Sequence, residues 1–182
     1  MADLIESRRI EVVRLTDIFR QEGEGWIVEN AHRVKKGLDP EFPENAQDAF
    51  FIKREEPAEG AEIIREIVTN RIPKSFNINP KTDIQVLTPM HRGELGSAHL
   101  NELLQSALNS GGESVQHYGR TIHCGAKVMQ VRNNYDKDVF NGDIGFIVEL
   151  GLEDREIVVE FDGRPISFDF FVLVELLLAL AI

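Results

Sequence analysis

The chain has 182 residues, of which 42% are hydrophobic and 28% charged. This composition excludes a disordered or collagen-like chain and suits one medium domain or two small ones. With 20 Lys and Arg against 31 Asp and Glu, the formal net charge is −11. The chain therefore has no general basic character to attract nucleic acid, and any basic groove must be local. Cys124 is the single cysteine, which excludes an internal disulfide and fits a reducing, cytoplasmic setting.

The N-terminal run Met1 to Val13 is charged and lacks the apolar core of a signal peptide. Glu11 to Leu15 reads as a short strand. Trp26 to Lys36 carries apolar residues at helical spacing, with Gly37 as its stop and Pro40 beyond. Ala49 to Ile52 reads as a second strand. Pro57 opens a helix reaching Arg71, ahead of Pro73. Asp83 to Leu87 reads as a third strand, and Ser97 as the cap of a helix to Asn109. Strands separated by helices predict βαβ units around a parallel sheet.

Beyond Gly111-Gly112 the pattern becomes all-β. Ala126 to Arg132 reads as a strand, and Asn141-Gly142 marks a turn before a strand at Ile144 to Leu150. Ile157 to Phe161 and Pro165 to Phe170 alternate around Asp162-Gly163, a type I′ hairpin signal. Such short strands predict a small antiparallel barrel. The expected division is 1–115 for a parallel-sheet domain, 116–170 for the barrel and 171–182 for a return segment. The last seven residues, Leu176 to Ile182, are all apolar. They are too few to span a bilayer, which takes about 20 residues, so no membrane partner is expected. They read as a cut through a buried element of a longer protein.

Several chemistries are absent. The chain has no G-x-x-x-x-G-K-[ST], no G-x-S-x-G and no H-E-x-x-H. Gly93-Glu94-Leu95-Gly96-Ser97 opens a helix but lacks a lysine; it reads as a one-phosphate site or as an ordinary loop and cap. His117, His123 and Cys124 lack the paired spacing of a structural zinc site, so no metal is expected. Arg20 follows a strand end, where parallel sheets bind ligands, and its planar fork suits a phosphate. Thr88-Pro89-Met90-His91-Arg92-Gly93 also leaves a strand end, with groups suited to a nucleic-acid backbone. Each stretch alone is equally an ordinary surface loop.

Taken together, these stretches resemble a known family. Val13-Arg14-Leu15-Thr16-Asp17-Ile18-Phe19-Arg20-Gln21, with Ile27-Val28-Glu29-Asn30-Ala31-His32-Arg33, resembles the start of the second motor domain of RecD-like superfamily-1 DNA helicases. Val86 to Gly93, Leu95-Gly96 and Leu100-Asn101-Glu102-Leu103-Leu104-Gln105 resemble the next signature. Lys127 to Asp136, running into Val139-Phe140-Asn141-Gly142-Asp143-Ile144-Gly145, resembles the group's SH3-like barrel. The similarity covers most of residues 12–182 and points to the exodeoxyribonuclease V alpha-subunit group, on its stand-alone helicase branch.

The resemblance implies an incomplete RecA-like α/β domain, of the P-loop NTPase type, carrying a small antiparallel SH3-like barrel. It implies a fragment of an ATP-dependent 5′–3′ helicase, inactive as an ATPase alone. The P-loop and the Mg²⁺-binding carboxylate would lie in a first RecA-like domain elsewhere in the same protein. By position, Arg20 is the arginine that reaches the γ-phosphate, with Gln21 beside it. Thr88, Met90, His91 and Arg92 would hold single-stranded DNA, and Asn133, Asn134 and Tyr135, with Phe140, would touch the strand from the barrel. ATP and Mg²⁺ would serve the whole enzyme, and subunits of a nuclease complex are further expected partners. The alternative is a non-catalytic module whose barrel binds a protein or DNA.

Overall fold

In a computed structural model, the described residues are 5–7, 9, 11–13, 25–109, 111–117, 120–151 and 155–182. The chain forms two compact units, Met1–Lys53 and Arg54–Ile182.

In the first unit, α1 spans Trp26–Lys35. Its N-cap, Gly25, has no side chain to offer. Asp48 supplies the missing acceptor, taking a hydrogen bond from the Ile27 N–H at 3.1 Å and placing negative charge at the positive end of the helix. Gly37 ends α1 at φ +77°. The Gly37 N–H reaches Val34 O and the Leu38 N–H reaches Arg33 O, the paired bonds of a Schellman stop. Asn30, buried in α1, donates to Glu41 O at 2.8 Å and accepts from Glu41 N at 2.7 Å. It thereby ties the following segment to the helix. Ala49 to Ile52 forms no strand; Phe50, Phe51 and Ile52 are exposed, and no segment pairs with them among the described residues. The strand expected at Glu11 to Leu15 is absent from its described part, residues 11–13, and otherwise lies outside the described residues.

In the second unit, α2 (Pro57–Glu66) runs into a π turn at Ile67–Arg71 and then α3 (Ile72–Phe76). The helix therefore passes the proline expected to end it. Pro73 has no N–H and crowds the carbonyl four residues back, and the widened turn just before it relieves that conflict. α4 spans Ser97–Leu108. Gly96 is its cap and Ser97 its first helical residue. Between α2 and α4 runs a short parallel pairing of residues 86–88 with 180–182. Val86 N donates to Leu180 O, Ile182 N to Val86 O and Thr88 N to Ile182 O, around the bridge Val86–Ala181. This pairing is the parallel component among the described strands and bridges. Ala61, Leu100 and Ala181 pack as one cluster around it, and Val68, Leu104 and Leu180 as another. The apolar residues 176–182 are thus covered, with Ala179, Leu180 and Ala181 all buried.

The antiparallel part has β1 (Ser114–His117) paired with β2 (Arg120–His123), a hairpin the sequence did not announce. A five-stranded sheet follows in the order β6-β5-β4-β3-β7. Its strands are β3 (Lys127–Gln130), β4 (Ile144–Gly151), β5 (Glu156–Phe161), β6 (Arg164–Asp169) and β7 (Leu176–Leu178). β5 alternates cleanly, with Ile157, Val159 and Phe161 buried and Glu156 and Glu160 exposed. β4 carries a register shift between Ile147 and Glu149. That bulge leaves Val148 and Glu149 both outside and returns Leu150 to the core. Asp162 and Gly163 sit at φ +48° and +77°, as the expected type I′ turn requires. Pro165, which has no N–H to offer a ladder, lies on edge strand β6. The mixed architecture expected from the sequence, helices on strands beside a small antiparallel sheet, is present.

Candidate functional site

The loop from Thr88 to Gly96 leaves the parallel pairing and enters α4. The Thr88 hydroxyl donates to Leu95 O at 2.6 Å and sits 3.5 Å from the Met90 N–H. It closes the loop on itself. Ser97 N donates to Met90 O and Ala98 N to His91 O. Two N–H groups of the first helical turn are therefore already used by loop carbonyls, as in an ordinary loop and cap. Gly96 is required by close approach: a Cβ there would stand 2.6 to 2.7 Å from backbone atoms of His91 and Arg92. The folded loop presents Met90, His91 and Arg92 on the outside, with Met90 at 49% exposure. His91 Nδ1 lies 3.1 Å from Ser97 Oγ. With the serine donating, the ring proton sits on Nε2, which is then a donor.

A second loop joins β3 to β4. Asn134 and Val139 exchange backbone hydrogen bonds at 2.7 and 3.1 Å. Asn133 Oδ1 accepts from Asn141 N at 2.9 Å, and Asn134 Oδ1 from Lys137 N at 3.1 Å. Both asparagine carboxamides are thus partly spent on shaping the loop. What the loop displays is aromatic. Tyr135 is 77% exposed and meets Phe140 edge to face, with centroids 5.9 Å apart. Gly142, at φ +98°, makes the turn that follows.

A cavity of about 440 Å³ lies between α4 and strands β2, β3 and β7. His91 reaches it from the first loop; Asn133, Asn134 and Tyr135 do not line it. Among its other polar walls, sequence reasoning weighed His123 only as a metal ligand and Glu102 and Gln105 only within a family signature, and it passed over Thr121. A signal existed in α4, where Asn101 and Gln105 are polar residues four apart, both buried, hence facing the same way. Arg20 and Gln21 lie outside the described residues. Among the described residues no group of three or more His, Cys, Asp or Glu is placed to hold a metal ion.

One charge couples the two parts of this unit. Lys127 in β3 is buried, at 5% exposure, and donates to Ile84 O at 3.2 Å. Burial pushes its ammonium pKa down, and Asp83 partly offsets that. Asp83 is itself held below the usual carboxylate range, first by the Thr82 hydroxyl and then by the Asn79 N–H, with Lys127 adding to the effect.

The chain is similar to several known proteins. Residues 100–161 match the family model described as the ATP-dependent RecD-like DNA helicase SH3 domain. The ATP-dependent RecD2 DNA helicase of Deinococcus radiodurans is 30% identical over 155 residues, which cover 85% of this chain and 20% of that protein. The chain thus spans about a fifth of the relative's length. Among solved structures, Bacteroides Pif1 helicase in complex with ADP-AlF3 and ssDNA is 19% identical, covering 86% of this chain and 33% of that one at a TM-score of 0.46. Bacteroides sp Pif1 in complex with ADP-AlF4 is 16% identical, covering 71% and 40% at a TM-score of 0.39. The resemblance to RecD-like superfamily-1 helicases read from the sequence is borne out.

Proposed function

We propose, from a chain whose residues 100–161 belong to the SH3-domain family of ATP-dependent RecD-like DNA helicases, that it forms the second motor domain of such an enzyme with its inserted barrel. The observation carrying this reading is the similarity to a RecD2 helicase along 85% of the chain, well beyond the barrel itself. The whole protein then hydrolyses ATP with Mg²⁺ and moves 5′ to 3′ along single-stranded DNA, in the cytoplasm.

Arg20, with Gln21 beside it, reaches the γ-phosphate held by a first motor domain elsewhere in the protein. A guanidinium there neutralises charge growing on the transferred phosphoryl group, worth about 10³–10⁵ in rate. Thr88, Met90, His91 and Arg92 hold the DNA backbone. The exposed loop carrying Met90, His91 and Arg92 supports this, since phosphate contacts need reachable donors and no sequence reading. Tyr135, with Asn133 and Asn134 shaping its loop, offers an aromatic face for a base. A globally acidic chain is compatible with such a local grip.

The test is a DNA-stimulated ATPase and unwinding assay on the whole protein, with this chain alone as control. The whole protein unwinds duplexes carrying a 5′ single-stranded tail, and the isolated chain neither hydrolyses ATP nor unwinds DNA. Unwinding only from 3′ tails, or turnover by the chain alone, would overturn the reading.

A further inference from the structure

The loop between β3 and β4 is shaped by its own asparagines, but it is also held from outside, by β6. Arg164, the first residue of β6, sets both arms of its guanidinium on one loop residue. Nη1 donates to Asp138 Oδ2 and Nη2 to Asp138 O, each at 3.0 Å. A planar fork fits such a two-point grip, which a lysine ammonium could make at only one point. Asp138 stands at φ +52°, a left-handed backbone that a residue with a side chain holds at a cost. The grip therefore falls where the loop most needs support.

The neighbouring residue makes a second tie to the same strand. The Lys137 ammonium donates to Ser167 O and lies 4.6 Å from the centroid of the buried Phe168 ring. Because β6 is a sheet edge, its outward carbonyls have no ladder partner, and the loop uses one of them. Val139, the next residue, is fully buried. Residues 137–139 are thus fastened as a block. Tyr135 precedes that block by two residues, and Phe140, its edge-to-face partner, follows it by one. Fixing the block fixes the two rings relative to each other.

The Arg164 and Asp138 side chains are 53% and 69% exposed, and a solvated ion pair adds little to global stability. Its effect is local, on the order of the loop. Resting on the reading that this loop meets single-stranded DNA, we propose that Arg164 is a positioning residue for that contact. Through Asp138 it holds the loop in the shape that presents Tyr135 to a base, without touching the strand itself. DNA that meets an already ordered loop does not bear the entropy of ordering it, so affinity rises with no added contact.

The experiment has two arms. Amide hydrogen exchange on this chain, without DNA, follows the Val139 N–H, which donates to Asn134 O. In the whole protein, fluorescence anisotropy measures oligo(dT) binding by the parent, Arg164→Ala, Tyr135→Ala and the double variant at several salt concentrations. In Arg164→Ala the Val139 amide exchanges about tenfold faster, while the thermal midpoint stays within about 3 °C of the parent. Oligo(dT) affinity falls about fivefold with an unchanged salt slope, because no phosphate contact is lost. Adding Arg164→Ala to Tyr135→Ala weakens binding little further, since both act through one contact. Arg164→Lys, which keeps one point of the grip, recovers part of the loss. An unchanged Val139 amide overturns the latch even if DNA binds normally. Losses that add in the double variant, or a salt slope lower by about one, show Arg164 touching phosphate and overturn the positioning role. A faster amide with oligo(dT) affinity unchanged in every variant removes this loop from the DNA reading, and the proposal with it.

Discussion

The Asn101 carboxamide pairs with the backbone of Ala181 in both directions: Nδ2 donates to Ala181 O at 2.7 Å and Oδ1 accepts from Ala181 N at 2.9 Å. Nδ2 also reaches Ser97 O at 2.8 Å and Leu178 O at 3.0 Å. One side chain thus fastens residues 178–181, and the parallel pairing they carry, to helix α4. Asn30 uses the same reciprocal device on Glu41 in the other unit.

Replacing Asn101 by Ala leaves several buried backbone groups of this clamp without partners. Unsatisfied buried groups cost about 1–3 kcal/mol each, and partial rewetting limits the sum, so a loss of about 3 kcal/mol in urea unfolding is expected. Asn101→Asp keeps the acceptor toward Ala181 N but sets a carboxylate against three carbonyl oxygens. It is expected to destabilise more at pH 7 than at pH 4, where protonation restores a donor.

Gly145 in β4 is expected to be intolerant for steric reasons. A Cβ there would stand 2.7 Å from Val159 Cγ1, 2.8 Å from Glu160 O and 2.9 Å from Phe161 Cδ1. Gly145→Ala should cost about 1–3 kcal/mol through overpacking. At Gly142 no atom lies within 4 Å of a Cβ, and the conflict is the positive φ of +98°. Gly142→Ala should cost about 1–2 kcal/mol for that reason alone. Thermal melts of the two variants check both values.

Asp83 and Lys127 both make stability rise with pH, in different windows and for different reasons. The folded state holds the Asp83 carboxyl below its usual range. Its stabilisation is therefore present above the ordinary carboxylate pKa and is lost as pH falls through the lower, folded value. Lys127 has its pKa depressed by burial, so the unfolded chain binds the extra proton between the folded and ordinary lysine values. Stability gains from Lys127 as pH rises through that window. Asp83→Asn should flatten the acid limb and, by removing a neighbouring charge, lower the Lys127 pKa further. Denaturation curves across pH read both limbs.

Arg92 is exposed at the mouth of the loop. In the whole protein, Arg92→Ala should weaken single-stranded DNA binding equally for all sequences and lower the salt slope by about one. Anisotropy titrations at several salt concentrations measure this. A loss confined to one base sequence would show that Arg92 reads bases.

The antiparallel sheet was legible because β5 alternates cleanly on one buried face and the turn after it uses residues that demand positive φ, Asp162-Gly163. The β1–β2 hairpin was not, because four-residue strands such as Ser114–His117 are too short to show a period. Pro73 read as a stop because a widened turn that lets a helix pass has no simple residue signature. The parallel strands were overread. Phe50, Phe51 and Ile52 have strand propensity, but a strand exists only where a neighbour pairs with it. The candidate DNA-facing loops were visible as motifs, while the cavity was not, because it gathers residues from α4, β2, β3 and β7 that no spacing links.

The most direct test concerns Arg20, measured as single-stranded-DNA-stimulated ATP turnover of the whole protein with Arg20→Ala beside the parent. The account expects turnover to fall by about 10³-fold or more, with DNA affinity unchanged. Turnover within a few fold of the parent would contradict it.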